Sequence, residues 1–380
     1  MTNGRFKALL VGVIDAVGAS RLPKLLHQAG CRVTLFAPRG LMVGRSRYVD
    51  EHAGTSHDAG GLALELRDWL ARQTTPYDLT VVADEVMLHE LTRWRAENWA
   101  SRLLPVRDDD QRIDMILSKH KFMSAAAAAG LPVPREESFD NWQEALATAN
   151  QIGFPVVIKK PVGFAGSGVR KAVDPEDLRL AYDQLGGEGH LMMEDFIPGP
   201  VGMTEALFDR GRLIAWASNY KIKTWPTPLS PSCVRQIIDH RDVCTIARGI
   251  GALTTISGFV GIDWIHEQEK DRLVLIELNP RPTPGLHLGP HAGVNFAQAL
   301  RSILEGKPIE QRPDPSSREI LWMFPQALHR AIDDHDPGGI LKALRDAPLD
   351  DPALTATALR RVATHYLPTM LRRNSKVAAA

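Results

Sequence analysis

Cysteine is scarce in this 380-residue chain: Cys31, Cys233 and Cys244, with no CxxC pair. An odd, scattered set excludes a disulfide framework and a thiolate zinc site, and makes three reduced thiols in a cytoplasmic protein the expectation. Net charge is missing too, since 45 basic side chains balance 45 acidic ones. Nothing global therefore points to nucleic acid or a membrane as partner, and any anion site must be local. No stretch reaches the ~20 apolar residues that span a bilayer. Arg5 and Lys7 precede an apolar run, but Asp15 interrupts it and no small-residue cleavage pattern follows, so it reads as a first strand rather than a leader. Internal repeats, long low-complexity tracts, a basic–aromatic pattern and a Ser-His-Asp signature are all lacking.

What is present is a globular composition, 44% apolar and 24% charged, in a chain too long for one core. The first ~110 residues alternate strand-like and helix-like segments, the mark of a parallel α/β layer. Strands are expected over 8–14, 32–36 and 79–83, and helices over 22–29, 61–71 and 86–99. The first turn holds Gly12, Asp15, Gly18 and Ser20. It is not GxGxxG, and ordinary strand-to-helix geometry accounts for it. Acidic residues 108–110 open a helix running to about 129, where Gly130-Leu131-Pro132 ends it. Helices at 141–151, 175–185 and 241–253 then alternate with strands at 155–159, 169–173, 191–197, 258–266 and 273–278 and a strand-rich piece at 204–219. After about 311 the strands stop and a Pro/Asp-rich, then helical, segment follows.

Four segments carry residues suited to chemistry. In the first, a strand ends at Lys159-Lys160 and runs into Gly163-Phe164-Ala165-Gly166-Ser167-Gly168. Glycines let backbone amides converge on an anion and lysine adds a point charge, although a surface hairpin with solvated lysines has the same sequence. The lysine precedes the glycines, so this is not a Walker loop. In the second, Glu277 and Asn279 alternate on one strand and share a face, and Asp263 lies on a strand able to pair beside them. Such oxygen ligands suit Mg²⁺, and carboxylates among Leu273, Val274 and Ile276 are costly to bury without a cation. In the third, Arg281 is pinned between Pro280 and Pro282, placed to grip a phosphate or carboxylate if it does not simply face solvent. In the fourth, the apolar strand Leu191-Met192-Met193 runs into Glu194-Asp195-Phe196-Ile197 and can offer backbone groups and apolar walls to a planar ring, or serve as plain core.

In this order the segments resemble the ATP-grasp superfamily, in its carboxylate–amine/thiol ligase type. Lys119, followed by Gly130-Leu131-Pro132-Val133-Pro134, looks like the family's first ATP lysine and its exit motif; Lys159 looks like the second, and Asn279-Pro280-Arg281 like its NPR arginine. The match covers about residues 110–305. It implies an α/β N-terminal domain (1–110), a two-lobed α+β ATP-grasp body (lobe A with a glycine-rich lid, 111–200; lobe B with a magnesium site, 201–310) and a small helical C-terminal extension (311–380). It also implies that Lys119, Lys159, Gly163, Gly166, Ser167, Gly168, Glu194, Asp195, Phe196 and Ile197 bind ATP, that Asp263, Glu277 and Asn279 hold one or two Mg²⁺ (or Mn²⁺), and that Arg281 and Lys159 are catalytic. Three departures stand out. Pro200, Val201 and Gly202 occupy the place of the ribose glutamate, leaving Glu205 for that contact; Lys160 replaces a common proline; and Ser118 replaces a common aspartate. Tyr220 to Arg235 reads as a substrate loop, with Arg235, Gly285 and His287 as acceptor-pocket residues.

The implied reaction joins a small-molecule carboxylate, activated as an acyl phosphate at the expense of ATP, to an amine, with an amino acid or small peptide-like molecule as substrate. A carboxylate kinase or carboxylase of the same fold and a catalytically silent nucleotide-binding module are the alternatives. A homodimer is compatible with the family.

Overall fold

A computed structural model describes residues 5–107, 109–160, 168–187, 191–228 and 230–377, with backbone only from 367. The first sheet contains β1 (Phe6–Val11), β2 (Cys31–Phe36), β3 (Glu51–Ala53) and β4 (Leu79–Val82). Its order is β3-β2-β1-β4 and every pairing is parallel. Among the segments crossing between these strands and leaving the sheet are α1 (Leu22–Gln28), α2 (Ala59–Ala71), α3 (Glu85–Thr92) and α4 (Asn98–Ser101). Ala8, Leu9, Leu10 and Val11 are all buried, as expected of a strand covered on both faces.

Two helices lead out of this layer, α5 (Asp110–Leu117) and α6 (Lys119–Ala128). The single helix expected from 110 to 129 is thus divided. Ser118 is extended (φ −109°, ψ 112°), and its side chain accepts from the Lys121 amide as the cap of α6. A serine here favours starting a helix over continuing one. The helix expected over 86–99 is likewise split into α3 and α4.

The second sheet holds β5 (Glu136–Phe139), β6 (Val156–Lys159), β7 (Val169–Ala172) and β8 (Leu191–Asp195), ordered β5-β8-β6-β7 and antiparallel. Under it, α7 (Trp142–Ile152) and α8 (Pro175–Gln184) close a separate core of Phe139, Val156, Ile158, Leu178 and Met193.

The third and largest sheet is built from β9 (Val201–Asp209), β10 (Arg212–Thr224), β11 (Ser232–Ile238), β12 (Gly258–Glu267), β13 (Arg272–Asn279) and β14 (Ile320–Trp322). Its order is β13-β12-β9-β10-β11-β14, antiparallel throughout. Gly202 on β9 is required sterically, because a Cβ there would overlap the Trp264 ring. The helices α9 (Arg241–Thr254) and α10 (Phe296–Leu304) pack with this sheet, and α11 (Gln326–Asp333), α12 (Pro337–Arg345) and α13 (Pro352–Val377) follow it.

Two expectations are corrected here. Residues 220–235 are not one loop, because both ends are strand. The segment after 311 does contain a strand, β14, which hydrogen-bonds to β11. It is only three residues long, too short for a legible alternation.

One core packs Leu9, Phe36 and Leu62 of the first layer with Phe208, Trp216 and Trp264 of the large sheet, and a second joins Leu10, Leu22 and Leu35 to Leu207, Ile214 and Phe259. No described helix is long and apolar enough to cross a membrane.

Candidate active site

The loose glycine turn after β1 is closed by the protein itself. Asp84, buried, accepts from the amides of Val13 (2.7 Å) and Ile14 (3.2 Å) with one oxygen and from Met87 (2.8 Å) with the other. A carboxylate thus fills the anion position, in agreement with reading this turn as ordinary geometry.

The other expected cations gather on acids. Lys159, the last residue of β6, faces Glu194 of β8 at 2.5 Å. Burial pushes the Glu194 carboxyl up from its ordinary range, with Lys159 opposing the shift. Lys119, the first residue of α6, pairs with Glu277 of β13 at 2.5 Å. The broken helix matters here, because the new start at Ser118 brings Lys119 to Glu277.

Asp263 and Glu277 lie directly opposite on β12 and β13, as do Gly261 and Asn279. The amide of Asn279 donates to Asp263 at 2.9 Å, and the Arg281 guanidinium donates to Asn279 at 3.3 Å and to Glu85 of α3 at 3.1 Å. Lys221 of β10 contacts the other oxygen of Asp263. The strand pairing therefore unites Asp263, Glu277, Asn279 and Arg281 as expected from the sequence and adds Lys221 and Glu85. Lys221 falls within the 220–235 segment that reads from the sequence as a substrate loop. Glu85 carried no local signal, because only the meeting of α3 with the end of β13 makes it a neighbour.

At the hinge, Asp195 accepts from the Arg135 amide at 2.7 Å, the Phe196 amide donates to Pro155, and Ile197 is buried. The Lys171 ammonium lies 3.8 Å from the Phe196 ring centroid. Gly168 is the last of the glycine loop and its carbonyl accepts from the Lys160 amide at 2.9 Å. Gly163, Gly166 and Ser167 lie outside the described residues.

Arg235 and Glu205 depart from expectation. Arg235 is not a loop arginine; it is buried in β11 and donates to Glu205 at 2.6 Å and to Ser232 at 2.8 Å. The second oxygen of Glu205 accepts from Asn219 at 3.1 Å. Engaged this way, Glu205 faces Arg235 and offers no open carboxylate to a ribose. Gly285 is packed on this pair, and a Cβ there would overlap both Glu205 and Arg235. His287 follows in a short 3-10 helix and is held at 3.3 Å by Asp346, which also binds Arg21 at 2.8 Å. Burial, then the nearby Arg21 charge, pushes the His287 imidazole below its ordinary value, while its Nδ1 has no hydrogen-bond partner. The segment after 311, which had no functional reading in the sequence, thus supplies Asp346 to His287 and Arg21.

A concavity of about 270 Å³ is lined by Arg95, Asn98, Asp109 and Asp110 and contains none of these groups; a smaller cleft between Lys119, Glu85, Leu278 and Pro280 does open onto them.

Residues 118–200 match the family model described as carbamoyl-phosphate synthase L chain, ATP binding domain. The carbamoyl phosphate synthase large chain, C-terminal section, of Methanopyrus kandleri is 22% identical over 63% of this chain and 48% of its own length. This chain spans less than half the length of the curated relatives it matches. Among solved structures, an N5-carboxyaminoimidazole ribonucleotide synthetase in its ADP complex superposes with a TM-score of 0.66 at 14% identity, covering 88% of this chain and 86% of that one. The L-amino acid ligase from Bacillus licheniformis does so with a TM-score of 0.58 at 19% identity, covering 81% and 76%.

Proposed function

We propose that this chain, a member of the ATP-grasp superfamily, is an ATP-dependent ligase that converts a carboxylate to an acyl phosphate, releasing ADP, and joins it to an amine. The supporting observation is three lysine–carboxylate pairs: Lys159 of β6 on Glu194 of β8, Lys119 of α6 on Glu277 of β13, and Lys221 of β10 on Asp263 of β12. Each lysine can exchange its carboxylate for a phosphate oxygen, so the site can take up a polyanion without stranding a charge. Glu194 suits such an exchange, because its raised pKa lets it take a proton when Lys159 leaves.

The donor set opposite is oxygen only, two carboxylates and an amide, which fits Mg²⁺ or Mn²⁺ and not a softer metal. Asp263, Glu277 and Asn279 would hold the ion, which supplies charge neutralisation to the transferring phosphoryl group. Arg281, fixed by Glu85 and Asn279, is oriented for a phosphoryl or developing carboxyl oxygen beside that set. In this reading Lys119, Lys159 and Arg281 position the reactants. Glu205 does not hold the ribose; it is closed on Arg235, and the pair braces the side of the cleft assigned to the acid substrate. The hinge residues Glu194 to Ile197 and the glycine loop complete the nucleotide site by resemblance.

The similarity to carbamoyl-phosphate and carboxyaminoimidazole enzymes favours a second reading, in which the acid is bicarbonate and the same site is a carboxylase. One experiment tests both: nucleotide consumption with Mg²⁺ across amino acids, other carboxylic acids and bicarbonate, each with candidate amines, resolving ADP from AMP. ADP released only with an acid–amine pair supports the ligase and names its substrates. Release driven by bicarbonate selects the carboxylase. AMP with pyrophosphate overturns the acyl-phosphate mechanism.

A further inference from the structure

His240, His266 and Asp271 lie outside the nucleotide site and come from three elements. His240 caps α9, His266 is near the end of β12, and Asp271 sits in the turn to β13 in the left-handed conformation (φ 44°). One donor atom from each lies within 4.8 Å of the others. The two imidazole Nε2 atoms stand 3.4 and 3.3 Å from the same carboxylate oxygen of Asp271. These separations are long for hydrogen bonds. They match the spacing of about 3.3 Å between ligand atoms around a tetrahedral ion with bonds of about 2.05 Å.

The surroundings have the form of an outer shell. The Tyr220 hydroxyl is 2.6 Å from Nδ1 of His266 and stacks its ring on that imidazole, leaving Nε2 to face the cluster. His240 Nδ1 has the Asp242 amide at 3.2 Å and the Asp242 carboxylate at 3.8 Å. Arg241 holds the other oxygen of Asp271 at 3.1 Å, turning the first toward the histidines. An outer partner such as the Tyr220 hydroxyl fixes the tautomer and orientation of a metal-binding imidazole at His266, and Arg241 orients the Asp271 carboxylate. Both histidine side chains are largely covered (11% and 13% exposed) while Asp271 is 63% exposed, so the cluster has fixed inner donors and an open entry.

We propose that His240, His266 and Asp271 bind a transition-metal dication of the zinc class, with water completing a tetrahedral shell, and that the ion ties the β12–β13 turn to the start of α9. Two imidazoles and one carboxylate select zinc-like ions over Mg²⁺. With the ion on Nε2 each ring carries its proton on Nδ1: the Tyr220 oxygen accepts it at His266, and at His240 the Asp242 carboxylate takes it in place of the Asp242 amide contact that caps α9 in the metal-free chain. The site is distinct from the magnesium set: alternation along β12 puts His266 on the Trp264 face of the strand, opposite Asp263.

The test is calorimetric titration of ZnCl2 into the chelator-treated full chain with excess Mg²⁺, paired with its melting temperature. One zinc per chain and a raised melting temperature are expected. His240→Asn keeps a capping acceptor, and Asp271→Asn suits a left-handed residue. Each should weaken zinc binding at least tenfold, while Glu277→Gln should leave it unchanged. A wild-type chain that takes up no zinc, or zinc uptake insensitive to both substitutions, overturns the site. Because the readout needs neither ATP nor turnover, it stands whether or not the ligase reading holds.

Discussion

Lys119 and Lys159 are 39% and 20% exposed and rest on carboxylates, whereas Arg235 and Glu205 are 3% and 1% exposed and close on each other inside the large sheet. The first arrangement can open: Lys119 and Glu277 both reach water, and buried Glu194, its pKa raised by burial, can take a proton when Lys159 turns to a phosphate. The second cannot, since freeing either member leaves a charge buried without a partner. The contrast teaches what each end of the cleft does. In the proposed reading the nucleotide side changes partners in every cycle, while the side of Arg235 holds one geometry, braced by Gly285, Asn219 and the Arg21–Asp346–His287 cluster.

The sharpest way to break this contrast is Glu277→Gln. It removes the proposed metal-binding carboxylate, which is the counterion of Lys119, while altering little volume. Loss of several kcal/mol of charge stabilisation should lower nucleotide turnover by at least about a hundredfold with little change in melting temperature. Turnover near the wild-type rate would remove Glu277 from the site. Arg235→Met tests the other side and should act first on the fold. It leaves Glu205 buried and unpaired, a cost of about 3–5 kcal/mol in denaturant unfolding. The double variant Glu205→Leu with Arg235→Met should recover most of that stability while remaining inactive. If Arg235→Met unfolds like the wild type, the pair is not the fixed element described here.

The smallest effect probes the support beneath the acceptor side. His329 stacks on Trp225 at 4.3 Å between ring centroids, and burial, then the neighbouring His365, lowers its pKa to about 4. An unfolded histidine titrates near pH 6.5. Between these values the unfolded chain binds a proton that the folded one refuses, so stability is complete above pH 6.5 and falls as pH drops towards 4. His329→Phe keeps the stack and should flatten this fall by roughly 2 °C in melting temperature between pH 7 and 5. An unchanged pH profile would show that His329 does not sense the fold.

Much of the nucleotide side was legible because its signals are local. Glu277, Asn279 and Arg281 share one short segment, and alternation alone places the first two on a common face. Lys159 announces itself by ending an apolar strand before glycines. Ser118 was legible as a departure from the family, but its effect, a new helix start that turns Lys119 towards Glu277, was missed; a serine followed by a charged turn was the available signal. Arg235 was misread because a strand interrupted by prolines and serines looks like a loop, and because nothing near it in sequence supplies its counter-charge.

The sequence by itself determined which residues can carry chemistry: a strand period of two and glycine punctuation set the local direction of side chains, and charge type sets what they can bind. Only the tertiary structure decided partners. The register of β12 against β13 set Asp263 opposite Glu277, the packing of β10 and β11 buried Arg235 on Glu205, and the hairpin turn brought Asp271 to His240 and His266. The physical reason is that side-chain direction follows from neighbouring dihedrals, whereas a partner is chosen where the whole core buries its apolar faces.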